Sequence, residues 1–148
     1  MENTLENTLK EQSLNHDQAA ALQVTEARTP FDELDERAKL ALHCASEKKA
    51  VNLTVIDLRE IASFTEFFII TGGTNQRQVQ AISDDIEKQL KKQLSERPIR
   101  IEGYRTGEWI LMDYGDFVIH IFEQKAREFY DLERLWRDAK KVELPKEF

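Results

Sequence analysis

Asp57, Asp113 and Asp116 each sit at the end of an apolar run, and together they are the first candidates for chemistry in this 148-residue chain. Carboxylates at neighbouring strand ends can hold magnesium for phosphoryl transfer. A glycine-containing segment, Thr71-Gly72-Gly73-Thr74-Asn75-Gln76, lies between an apolar run and a helical pattern. A strand-to-helix turn of that kind offers free N–H groups to an anion. The loop lacks the lysine of a P-loop and the three glycines of a dinucleotide fingerprint. It also lacks a serine, and no Asp-x-Asp pair lies on a strand. Gly and Thr/Asn are ordinary punctuation between a strand and a helix, and Asp116 suits a hairpin turn. His120 stands between Ile119 and Ile121 with no nucleophile beside it, and reads as a structural imidazole at the sheet surface. Cys44 falls on a helix with no evident activating base, and reads as a small hydrophobe. His43 is its immediate neighbour in sequence and points elsewhere around the helix.

The last third is the most unusual stretch. Tyr104, Trp109, Tyr114, Phe129, Tyr130 and Trp136 are interleaved with Glu102, Arg105, Glu108, Asp113, Asp116, Arg127 and Glu128. Period-two alternation puts Trp109, Leu111 and Asp113 on one side of a strand, with Ile110, Met112 and Tyr114 on the other. One set belongs to the core. The other is then an aromatic–apolar patch edged by charge, which is the anatomy of a protein interface. The alternative is that helices cover both faces of the sheet and Trp109 is core.

The elements that must position these residues follow from periodicity. Thr29-Pro30 is an N-cap and first-turn pair, and Leu34, Ala38, Ala41, Leu42 and Ala45 predict a helix over 31–49. Residues 52–58 (NLTVIDL) and 67–71 (FFIIT) predict buried strands. Val79, Ile82, Ile86, Leu90 and Leu94 predict a second helix, capped by Thr74 or Asn75 and ended by Pro98. Residues 99–102, 109–114 and 117–122 predict three more strands, the last two joined by a hairpin at Tyr114-Gly115-Asp116. Phe129, Leu132 and Leu135 predict a final helix over 126–136. The order αββαβββα implies a mixed α/β fold, a five-stranded sheet with flanking helices.

Composition limits the function. Asp and Glu number 28 against 21 Lys and Arg, for a net charge of −7. That balance argues against tight binding to a nucleic-acid backbone and favours a basic protein partner. The single cysteine rules out an internal disulfide framework and a Cys₄ zinc site. Residues 1–30 carry five acids against two bases and few large apolar side chains, and are expected to be a disordered tail ahead of a domain at 31–148. Within it, Leu5, Leu9 and Ala19–Leu22 allow only a transient helix. The first residues have no basic and apolar leader, so a cytoplasmic location is expected.

An ordered set of segments carries a resemblance: 48–50 (KKA), 55–58 (VIDL), 67–72 (FFIITG), 76–79 (QRQV), 101–104 (IEGY), 108–116 (EWILMDYGD), 118–122 (VIHIF) and 127–136 (REFYDLERLW). The chain resembles the ribosomal silencing factors, also called the Iojap family, from about Phe31 to Glu143. The resemblance implies a fold distantly similar to nucleotidyltransferases without their catalytic residues. It implies binding to the large ribosomal subunit through ribosomal protein L-fourteen, with no cofactor. The bound factor would block joining of the small subunit and repress translation under nutrient limitation. Members are often homodimers off the ribosome. Family pattern and alternation together nominate Trp109 as the anchor, surrounded by Tyr104, Glu102, Glu108, Asp113 and Tyr130. The competing expectation is a magnesium-dependent nucleotidyltransferase-like enzyme using Asp113 and Asp116.

Overall fold

In a computed structural model the described residues are 28–147. The expected disordered tail, with its transient helix, lies outside them except at its last residues. Thr29 is buried and bridges to Val142, and its hydroxyl donates to the Asp57 carboxylate. That contact takes Thr29 away from the capping role expected of it. A single 3₁₀ turn at Phe31–Glu33 follows, and the first helix, α1, spans Glu36–Glu47. It therefore starts later than residue 31. Asp35 is the cap, its carboxylate accepting the Ala38 N–H at 3.0 Å. Leu34 just before it is extended, which no helix interior allows.

Strand β1 (Val51–Asp57) pairs antiparallel with β2 (Phe67–Gly73), with a bulge between Val51 and Thr54 where Asn52 has φ +52°. Helix α2 (Gln76–Leu94) follows, capped by Asn75, which accepts the Gln78 N–H at 2.8 Å. It ends at Ser95, in a left-handed conformation, before Pro98 is reached. Strands β3 (Arg100–Glu102), β4 (Trp109–Asp113) and β5 (Phe117–Glu123) form an antiparallel meander. Beside it, β2 and β5 run parallel from Phe67↔Phe117 to Gly73↔Glu123, with α2 in the crossover between them.

The predicted final helix is two short ones, α3 (Gln124–Tyr130) and α4 (Leu132–Leu135), broken by Asp131 at φ 46°, ψ 52°. Aspartate is among the few L-residues that adopt this conformation readily, so the sequence carries no glycine to announce the break. The sheet has six strands, not five. A two-residue strand, β6 (Lys140–Lys141), pairs antiparallel with β1 at Ile56 and Asp57. Two exposed lysines show no alternation, so periodicity could not reveal it. The order across the sheet is β3-β4-β5-β2-β1-β6.

Helices α1 and α2 cover one face. There Ala41, Leu42, Ile82, Ile86 and Leu90 meet Val55, Ile69, Ile110, Met112, Ile119 and Ile121 in the main core. Ile110 and Met112 point into it as alternation requires. The second face holds Ile56, Leu58, Phe68, Ile70, Val118 and Phe122, with Trp109, Leu111, Leu132 and Trp136 half-buried against them. No helix among the described residues is long and apolar enough to cross a membrane.

Candidate functional site

Strand register places the candidate residues. Directly paired residues share a face. Glu102 pairs with Leu111, which pairs with His120; Trp109 pairs with Phe122, and Asp113 with Val118. Trp109, Leu111, Asp113 and Glu102 therefore lie on the second face, the one that α1 and α2 leave free. Tyr130, from α3, closes on Trp109 with ring centroids 4.7 Å apart. Glu108 is exposed at the entry to β4, where its carbonyl accepts the Glu123 N–H. Tyr104 departs from the group. Its hydroxyl donates to Asp84 and its carbonyl accepts from Gln80, both on α2, so it belongs to the opposite side. The loop reverses through Gly103 at φ +80°, where a Cβ would collide with the Trp109 carbonyl oxygen. The turn carries Tyr104 away from β4, and counting residues along the chain could not show this.

On the second face the rings are continuous. Phe129 meets Tyr130 edge-on at 5.0 Å, and Tyr130 meets Trp109. Trp109 stacks on Phe122 at 4.9 Å and lies 5.9 Å from His120. His120 meets Phe68 edge-on at 4.5 Å. Phe68 meets Trp136 at 5.9 Å, and Trp136 meets Phe64 at 6.1 Å. Several of these side chains reach solvent: Phe129 is 81% exposed, Phe64 60% and Tyr130 51%. The expected apolar patch is therefore longer than the candidate list. Phe129 escaped the sequence reading because a regular helix over 126–136 would turn it inward, and the break at Asp131 leaves it exposed; Phe64 lies between the expected strands and Phe68 in an unbroken apolar run, so neither carried a periodic sign of its face. Trp109 is neither wholly core nor free, since its indole is half-buried at the centre of the ribbon.

Charge frames this surface. Arg100, 3.5 Å from Asp113 and 3.8 Å from Glu102, sits between two acids on the β3–β4 edge. Asp113 also accepts the Gly115 N–H at 2.8 Å and so shapes the hairpin. Asp116 accepts from Arg37 at 2.7 Å. Asp57 is bonded to Arg59 and Thr29; burial alone would raise its pKa, but those donors hold it below the usual carboxylate range. Each proposed metal-binding acid thus has a structural partner. Among the described residues no cluster of three or more His, Cys, Asp or Glu is placed to hold a metal ion.

The glycine segment is likewise structural. A Cβ at Gly72 would press on the Phe122 carbonyl oxygen at 2.9 Å, so this glycine serves the close approach of β2 to β5. A shallow crevice of about 240 Å³ opens at those strand ends. Arg127 lies in its wall, donating to the Val51 and Asn52 carbonyls at 3.0 and 2.8 Å and to Glu133 at 2.8 Å. Those bonds pin α3 to the β1 bulge. Cys44 is buried and desolvation pushes its thiol up to about 12, which keeps it protonated at neutral pH. His120 is buried too. Its Nδ1 accepts the Trp109 indole N–H at 3.1 Å, its Nε2 has no hydrogen-bond partner among the described residues, and desolvation lowers its pKa to about 4.

The class this geometry defines is a small mixed α/β domain with one face packed by helices and the other faced with partly exposed rings. Comparison with known proteins places it further. Residues 31–147 match the family model described as "Ribosomal silencing factor during starvation", and the chain belongs to that family. It is 38% identical over 109 residues to the ribosomal silencing factor RsfS of Halalkalibacterium halodurans, covering 74% of this chain and 92% of that one. It is 34% identical to the protein of the same name from Bacillus subtilis, covering 72% and 89%. A crystal structure of a Chromobacterium violaceum protein superposes with a TM-score of 0.68 at 30% identity, covering 77% of this chain and 91% of that one. The family name points to a regulatory factor, and the mixed α/β architecture is shared.

Proposed function

We propose that this protein binds the large ribosomal subunit through ribosomal protein L-fourteen and, while bound, physically obstructs docking of the small subunit. Translation would fall when nutrients are scarce. The observation that carries the reading is the run of rings from Phe129 through Trp109 to Phe64, partly open to solvent and edged by Glu102, Glu108 and Asp113. An apolar centre supplies affinity and an acidic rim steers a basic partner into register. Trp109 and Tyr130 are the anchors, and Tyr104, held on the α2 side, is outside the contact. The domain that begins at Thr29, which is bonded into the fold through Asp57 and Val142, carries the activity, the residues before it are dispensable, and the site of action is the cytoplasm. Off the ribosome, a second copy can shield the same rings, giving a homodimer. No bond is made or broken and no cofactor takes part; the partners found for Asp57, Asp113 and Asp116 weaken the magnesium-enzyme alternative.

The test is co-sedimentation of the full chain with purified large subunits without nucleotide, followed by a subunit-joining assay and crosslink mapping. Binding with crosslinks between the second face and L-fourteen, and joining inhibited in proportion to occupancy, is the expected result. Retention on small subunits, or inhibition that requires a nucleoside triphosphate and magnesium, would refute the proposal.

A further inference from the structure

Resting on the reading above, we propose that His120 is a positioning residue for partner binding: by accepting the Trp109 indole N–H it fixes the orientation in which that ring is presented on the docking face. An indole N–H only donates, so the imidazole nitrogen facing it, Nδ1, must carry the bare lone pair. The proton then sits on Nε2, a tautomer assigned from the partner. That Nε2–H is buried with no hydrogen-bond partner among the described residues, and the imidazole meets the Phe68 ring at a steep angle with centroids 4.5 Å apart. A buried donor without a partner destabilises a fold, and an apolar side chain of similar size would pack against Phe68 and Phe122 without that penalty. Inside the core the imidazole therefore brings a cost. Its one polar contact runs outward, to the half-buried ring at the centre of the exposed ribbon.

The other contacts of Trp109 do not determine its rotation. Phe122 stacks beneath it with planes 28° apart and Tyr130 leans on it at 48°. Flat ring contacts tolerate sliding and flipping, and the outer torsion of an aromatic side chain has broad minima. The bond to Nδ1 selects one of them. A ring fixed before contact loses less freedom on binding, so the orientation appears as affinity.

The experiment compares the full-length wild type with His120→Leu, which removes the acceptor, and His120→Asn, whose Oδ1 occupies the position of Nδ1. Both are also made in a Trp109→Phe background, and melting confirms that each protein is folded. The first readout is the Trp109 indole N–H in NMR, its shift and solvent exchange, told apart from Trp136 by a Trp136→Phe variant. The second is the dissociation constant for purified large subunits. We expect His120→Leu to speed indole exchange and weaken binding about fivefold, the scale of one lost hydrogen bond. His120→Asn should restore most of both, and His120→Leu should cost nothing further once Trp109 is Phe. An indole signal insensitive to His120→Leu overturns the inference, as does an equal binding loss in both backgrounds. If the wild type ignores large subunits, the proposed function falls. The role of His120 in setting the ring is then decided by the indole signal: faster exchange restored by asparagine supports it, and unchanged exchange overturns it.

Discussion

Under α1 and α2 the core is mostly aliphatic, with Ile69 and Ile110 of the sheet meeting Ile82, Ile86 and Leu90 of α2, all essentially sealed from water. Across the sheet, beside α3 and α4, Ile56, Leu58, Ile70 and Val118 are joined by Phe68 and Phe122, with Trp109 and Trp136 half-buried against them, and the outermost rings, Phe64, Phe129 and Tyr130, are open to solvent. The helices differ as well: α2 has 19 residues, whereas α3 and α4 have seven and four. A long amphipathic helix can cover a sheet face, and two short ones broken at Asp131 cannot. The first face therefore carries the larger share of stability. The second leaves part of its rings uncovered, and that is the surface the proposed function uses.

The largest expected break in this contrast is on the aliphatic side. Ile82→Ala should lower unfolding free energy by about 3–4 kcal/mol, measured by urea denaturation, while the protein that remains folded binds large subunits as before. A comparable effect belongs to pH. His120 titrates near 4 when folded, against 6.5 for a free imidazole. Between those values the unfolded chain binds the extra proton, so stability falls as pH drops from 6.5 towards 4. The total is about 3 kcal/mol at most. Melts across this range should show the slope in the wild type and lose this contribution in His120→Leu.

On the ringed side the readout changes from stability to affinity. Trp109→Ala should weaken subunit binding by on the order of 2 kcal/mol, and a folded variant that binds normally would remove Trp109 from the interface. Tyr130→Ala, at a half-exposed position, should lose about 1 kcal/mol of binding with a melting temperature near that of the wild type. The smallest effect is at the rim. Glu102→Gln combined with Glu108→Gln should slow association about threefold at low salt and match the wild type at high salt, as stopped-flow mixing would show.

Much of this division could be read from residue order. Alternation in 109–114 separated Trp109 and Leu111 from Ile110 and Met112, and the three- and four-residue steps from Val79 to Leu94 described α2 as it stands. Those signals are periodic over many residues and depend on burial, so they survive tertiary context. What escaped was set by single backbone conformations or by very short elements. Asp131 in a left-handed turn, Gly103 turning Tyr104 towards α2, and a two-residue β6 leave no periodic trace. The Trp109–His120 bond escaped as well, because it joins residues 11 apart through register rather than through spacing.

The parallel pairing of β2 with β5 has a consequence for how the chain reaches this state. Phe67 must find Phe117 across the whole intervening helix and meander. Contacts so distant in sequence slow folding, because a large loop must close before they form. On the ribosome that makes it, FFIIT emerges well before its second neighbour exists, and one edge of a strand that is buried throughout in the finished fold waits unpaired. Such edges invite self-association. Synthesis is therefore a stage at which this small domain is exposed to misassembly.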